Sequence, residues 1–114
     1  MILYHNPRCS KSRQALALLE ENGAKFEIKD YLKEGLKTSE VQDLIKATGV
    51  DPLEGFVRTK EAVFKELGLN GKELSNAQWA KTVAENPKLL ERPILVKGKK
   101  AVIGRPPENV LDLV

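Results

Sequence analysis

"MILYHNPRCSKSRQALALLEENGAKFEIKDY", residues 1–31, sets an amphipathic segment between two short strand-like runs. Residues 1 to 5 are nearly continuous strand-forming types, the pattern of a central strand covered on both faces. Pro7 breaks the run. From Ser10 to Asn22 the residues Ala15, Leu16, Leu18 and Leu19 share one helical face, and Gly23 stands where a left-handed cap ends a helix. "KFEIKDY" alternates, with Phe26 and Ile28 on one side, and reads as a second strand. A strand–helix–strand unit of this length is normally parallel.

Beyond it the chain turns helical. Ser39 with Gln42 forms a capping box ahead of a Val41, Leu44 and Ile45 stripe that Gly49 stops. Asp51-Pro52-Leu53-Glu54 opens a short helix, with an N-cap and a proline at the first helical position. Thr59 begins another, with Val63, Phe64 and Leu67 inward and Gly68 closing it. Ser75 with Gln78 opens one more, with Trp79 and Val83 apolar, stopped before Pro87. Strands return at Ile94-Leu95-Val96 and Ala101-Val102-Ile103, joined through Gly98-Lys99 as a two-residue hairpin turn. Pro106 and Pro107 start a last helix carrying Val110, Leu111 and Leu113.

The resulting order is βαβ, a helical insert over about residues 32–91, then ββα. Without the insert this is the α/β thioredoxin-like architecture: a mixed four-stranded sheet with helices on its faces. The expectation is one domain spanning residues 1–114.

Composition bounds the function. The chain has 114 residues, 41% hydrophobic and 31% charged, as in an ordinary soluble globular domain. No stretch approaches the roughly 18 apolar residues of a membrane helix, and no secretory leader is visible at the start. The net charge of +3 is mild. The lysines are scattered without interleaved aromatics, so the charge does not point to nucleic acid. One histidine and one cysteine cannot supply a tetrahedral zinc set, so no metal is expected. A single cysteine forms no internal disulfide and suits a reducing compartment, the cytoplasm.

That cysteine, Cys9, carries the chemistry. A lone cysteine is often a small buried hydrophobe, but three local features favour a reactive thiol. Cys9 follows a strand and directly precedes a helix, whose first N–H groups favour an anion. Arg8, Lys11 and Arg13 add positive charge nearby. The loop "HNPRC" is too polar for a hydrophobic pocket. A C-x-x-C pair would need a second cysteine where Ser12 stands, and a C-x5-R phosphatase loop would need arginine where Ala15 stands. A thiolate adduct formed here must therefore be resolved by an outside thiol.

Neighbouring residues complete a candidate site. His5 is a candidate to lower the thiol pKa as an imidazolium, or to orient the loop by a hydrogen bond. Asn6 is a candidate to bond the loop backbone or a substrate, or simply a turn residue before Pro7. Ser12 and Ser10 are candidates to donate to the thiolate. The chain holds five arginines: Arg8, Arg13, Arg58, Arg92 and Arg105. Arg58, Arg92 and Arg105 lie at element ends, where site residues tend to sit. Their rigid forks of donors suit a tetrahedral oxyanion.

"YHNPRCSKSR", "FVRTKEAVFKELGL", "LLERPILV" and "IGRPPENVL" together resemble the glutaredoxin-coupled arsenate reductase family (ArsC-type), nearly end to end and in matching order. The resemblance implies a thioredoxin-like fold with a helical insert. It implies a catalytic cysteine at Cys9, a helper histidine at His5, and oxyanion arginines at Arg58, Arg92 and Arg105. It also implies a cis proline at Pro93. The implied substrate is arsenate or a similar oxyanion. No cofactor is bound, glutathione is the co-substrate, and glutaredoxin is the partner reductant. Two alternatives stay open. One is an Spx-like regulator that binds RNA polymerase, a branch that usually carries C-x-x-C. The other is a thiol oxidoreductase of the same fold with a different substrate.

Overall fold

Strand β1 (Ile2–His5) is the strand that orders the sheet. The computed structural model describes every residue, Met1–Val114. Helix α1 (Ser10–Glu21) leads from β1 to β2 (Glu27–Asp30), which pairs with β1 in parallel, Ile2 beside Glu27 and His5 beside Asp30. The late strands β3 (Ile94–Lys97) and β4 (Lys100–Ile103) are antiparallel, and β3 also pairs antiparallel with β1, Ile2 beside Val96. The sheet order is β2-β1-β3-β4. A continuous apolar run belongs in such a central position, where both faces are covered. Leu3, Tyr4 and Ile94 are accordingly buried.

The chain divides into two compact units. The first comprises Met1–Glu34 and Arg92–Val114, and the second Gly35–Glu91. In the first, Leu3, Ala15, Leu19, Leu95 and Val110 form the core, with Leu16, Phe26 and Val102 against it. Short helix α2 (Tyr31–Glu34) follows β2 directly. Gly98 has φ +62°, the left-handed conformation that the tight turn between β3 and β4 requires, with Lys97 and Lys100 paired beside it. The final segment, Pro107–Leu113, is a 3₁₀ helix that buries Pro107 and Val110. With the mixed sheet and its flanking helices, this unit has the thioredoxin-like fold.

The second unit is helical. It contains α3 (Thr38–Thr48), a 3₁₀ turn at Pro52–Glu54, α4 (Ala62–Glu66), α5 (Asn76–Glu85) and a 3₁₀ turn at Pro87–Leu89. Val41, Leu44 and Ile45 of α3 and Trp79, Ala80 and Val83 of α5 are buried where the two helices pack together. The Trp79 ring stacks on Phe64, 6.4 Å between centroids and nearly parallel. The caps at Asp51 and Ser75 form as the sequence predicts: Asp51 accepts from the Leu53 N–H, and Ser75 accepts from the Gln78 N–H.

Four local expectations change. The helix expected to begin at Thr59 starts only at Ala62, with Glu61 as its N-cap. Helix α3 starts two residues earlier than the Ser39 box implied, with Lys37 as its N-cap, because Glu40 reaches back to accept from the Lys37 N–H. Leu67 is 45% exposed, and Leu69 is buried instead. The α4 helix ends at Glu66, so the inward face passes to the residue after Gly68. Ile28 is 50% exposed, on the edge strand β2.

Candidate active site

Cys9 is the N-cap of α1, with extended backbone at φ −94° and ψ 124°. The loop before it is held from several directions. The Cys9 N–H donates to the Asn6 carbonyl at 3.0 Å. The Arg8 N–H donates to Asn6 Oδ1 at 3.0 Å, an Asx turn that makes Asn6 a backbone organiser. Arg13 Nη1 donates to the Pro7 carbonyl at 3.0 Å, tying the loop to the first turn of α1.

Ser12 lies on the same buried face of α1 as Ala15 and Leu19. Its Oγ is 2.6 Å from His5 Nδ1 and accepts from the Asn6 N–H at 3.0 Å. Both sets of bonds are satisfied when the Ser12 hydroxyl donates to an unprotonated Nδ1. Burial lowers the His5 pKa. The negative charge of Asp30 opposes that shift and the positive charge of Arg13 reinforces it. Burial thus favours the neutral ring of His5, hydrogen-bonded to Ser12. This geometry favours the loop-orienting role for His5 over an imidazolium role. It also gives the Ser12 hydroxyl a partner other than the thiolate that the sequence suggested.

The sulfur of Cys9 is half-buried. Burial alone would raise its pKa, yet the net shift is downward. The N–H groups of Ser12 and Lys11 and the Arg92 side chain all stabilise the thiolate. Arg105 approaches from the opposite end of the chain, with Nη2 3.5 Å from Cys9 Sγ. Its Nε donates to the Arg92 carbonyl at 2.9 Å. The peptide bonds Arg92–Pro93 and Arg105–Pro106 are both cis, the first being the one the resemblance implied. Cys9, Arg92 and Arg105 therefore gather on one unit, with His5, Asn6 and Ser12 beneath the loop. A low-pKa sulfur flanked by two guanidinium groups can act as a nucleophile toward an anionic electrophile.

Arg58 belongs to the second unit. It follows a short antiparallel bridge between Val57 and Leu90, and its N–H donates to the Leu89 carbonyl at 2.7 Å. Its Nε bonds Glu61 at 3.1 Å and its Nη1 bonds Glu91 at 2.8 Å. Burial pulls its pKa down, but these two carboxylates outweigh it and hold the charge in place. Gly104, which no sequence signal singled out, is buried against Pro93 and Val110, next to Arg105 in the chain. No three His, Cys, Asp or Glu side chains gather as a metal ion would need. No helix is long and apolar enough to cross a membrane.

Comparison with known proteins agrees with this architecture. An arsenate reductase of Haemophilus influenzae is 45% identical over 114 residues, covering all of this chain and 98% of that protein. YfgD of Escherichia coli, described as uncharacterized, is 46% identical over 112 residues, 98% of this chain and 94% of that one. A solved structure described as an arsenate reductase from Vibrio cholerae superposes with a TM-score of 0.91 at 42% identity, covering 99% of this chain and 96% of that one. The sequence profile described as the ArsC family matches residues 4–113, so with the fold and these relatives the chain belongs to the ArsC family.

Proposed function

We propose that this protein reduces arsenate to arsenite through a thiolate–arsenic adduct on Cys9. The observation that carries the reading is the meeting of Cys9 with Arg105, Nη2 to Sγ 3.5 Å, at the start of α1. A relative of nearly full length and 45% identity that bears the name arsenate reductase supports it.

In this mechanism Arg92 and Arg105 neutralise the oxyanion and hold it against the sulfur. Arg58 enters as a third arginine through the family resemblance alone. The Cys9 thiolate attacks arsenic, and one oxygen leaves as water. Glutathione then attacks the Cys9 sulfur of the adduct; the sulfur–arsenic bond breaks with its electron pair going to arsenic, arsenite leaves, and glutaredoxin reduces the Cys9–glutathione mixed disulfide that remains. Overall, two thiols become one disulfide while arsenic takes up two electrons and loses one oxygen. Ser12, His5 and Asn6 fix the loop that presents the thiolate. The single cysteine supports an external thiol as resolving group, and a reducing cytoplasm is its matching compartment.

A coupled assay with arsenate, glutathione, glutaredoxin, glutathione reductase and NADPH tests the proposal. NADPH consumption should require all the other components and vanish in Cys9→Ser, which keeps its fold. Near-parental turnover in that variant would reject the role of Cys9. Turnover of a disulfide but not of arsenate would move the protein to a general thiol oxidoreductase. Capture of the RNA polymerase α subunit without any turnover would move it to the Spx-like class.

A further inference from the structure

We propose that Gly104 is a positioning residue for the arginine pair, because only the absence of a side chain there lets the Arg92 and Arg105 segments meet at Cys9. This inference rests on the reading of the site given above.

Gly104 does not need glycine for its backbone, since its φ lies outside the left-handed region. It needs glycine for space. A Cβ at this position would lie 2.7 Å from Pro93 Cγ and 3.0 Å from Val110 Cγ1. Pro93 and Val110 are both buried, and the proline ring has no rotamer by which to withdraw. The backbone exploits the close approach. The Gly104 N–H donates to the Pro93 carbonyl at 2.8 Å, extending the β3–β4 pairing one step past Ile94 and Ile103.

The next bonds turn that contact into a site. The Arg105 N–H donates to the Ile103 carbonyl at 2.9 Å, closing a three-residue turn centred on Gly104. The turn sends the Arg105 side chain back across the neighbouring segment, where Nε finds the Arg92 carbonyl and Nη2 finds the Cys9 sulfur. Asn109 Nδ2 donates to the carbonyls of Ile103 and Arg105 and fixes the far side of the turn. A methyl group at residue 104 would wedge against Pro93. It would displace the peptide that carries Arg92 and the carbonyl that anchors Arg105 in a single movement.

The test is Gly104→Ala, read by titration of the Cys9 thiolate absorbance and by kcat and KM in the arsenate assay. The thiol midpoint should rise by about one unit as the guanidinium groups withdraw. The value of kcat/KM should fall roughly a hundredfold, the scale of a misplacement near 1 Å. Val110→Ala, which loosens the same core without entering the gap at Pro93, should lower the melting temperature and leave the thiol midpoint in place. A folded Gly104→Ala with a parental thiol midpoint overturns the proposal, whatever its melting temperature. If Gly104→Ala does not fold, Gly104→Ala/Val110→Ala removes one of the two clashes and carries the same readouts. Failure of both to fold would assign Gly104 to the core and overturn the positioning role. The thiol titration needs no substrate, so a raised midpoint in a protein inactive on arsenate would sustain this inference and sink the proposed activity instead.

Discussion

The two units of this chain are buried by different means. In the helical unit every buried side chain is apolar, from Val41 and Ile45 through Phe64 to Trp79 and Leu90. In the sheet unit the apolar core of Leu3, Ala15, Leu19 and Leu95 is joined by three buried polar residues, His5, Asn6 and Ser12. All three sit directly around the Cys9 loop. A buried polar group costs free energy unless its bonds are made, and here they are made within the loop: His5 with Ser12, Ser12 with the Asn6 N–H, and Asn6 Oδ1 with the Arg8 N–H. The sheet unit therefore spends some of its interior on holding a loop, whereas the insert uses its interior for packing.

Perturbations in the two units should then differ in kind as well as in size. Trp79→Ala should have the largest effect on stability, a loss of about 3–5 kcal/mol from the cavity and the lost contacts. Urea unfolding would read it. The thiol midpoint of Cys9, measured where the variant remains folded, should not move. Ser12→Ala should cost less, about 1–3 kcal/mol, because it leaves the Asn6 N–H and the His5 ring without their partner. Yet it should raise the thiol midpoint, since the loop loses its anchor on α1. If Trp79→Ala shifts the thiol as much as Ser12→Ala does, the distinction between a packing unit and a chemical unit is broken.

The mildest perturbation is pH. His5 has a lower pKa in the folded chain than the ordinary 6.5. As pH falls below 6.5 the unfolded chain takes up a proton that the folded chain declines. Stability contributed by His5 is therefore complete above 6.5 and is lost as pH drops toward the lower folded value. Stability against pH for the parent and for His5→Gln should diverge in that window, with the steeper acid-side decline in the parent. Coincident curves would mean that burial and the Ser12 bond leave His5 titrating normally.

Much of this architecture is legible in the residues because it obeys local rules. A continuous run such as MILYH has few uses other than a strand covered on both faces. The Ser75/Gln78 box and the Gly98-Lys99 turn are short-range chemistry that no tertiary contact overrides. What escapes is whatever depends on distant contacts. Leu67 matches a helical stripe, but whether it faces inward depends on where α4 stops. Glu40 competes with Ser39 for the start of α3, and only the folded backbone shows which wins. In the site, the position of Cys9 directly before a helix is visible in the sequence, and the placement of Arg92 and Arg105 at strand ends is too; that both arginine segments reach Cys9 is not. The inward turn of Ser12 is hidden, because a serine in a first turn is as often a surface residue. Gly104 is hidden more deeply, since a missing side chain signals nothing until its neighbours are known.

The placement of β1 at the middle of the sheet also has a consequence for how the chain comes into being. Ile2 finds its parallel neighbour at Glu27, but its antiparallel neighbour is Val96. On the ribosome the first strand therefore emerges long before the partner that closes its other edge. Its apolar residues wait exposed while the helical segment is synthesised. Contacts so far apart in sequence slow the search for the native state. This small protein should accordingly depend on holding factors during translation more than a helical bundle of the same length would.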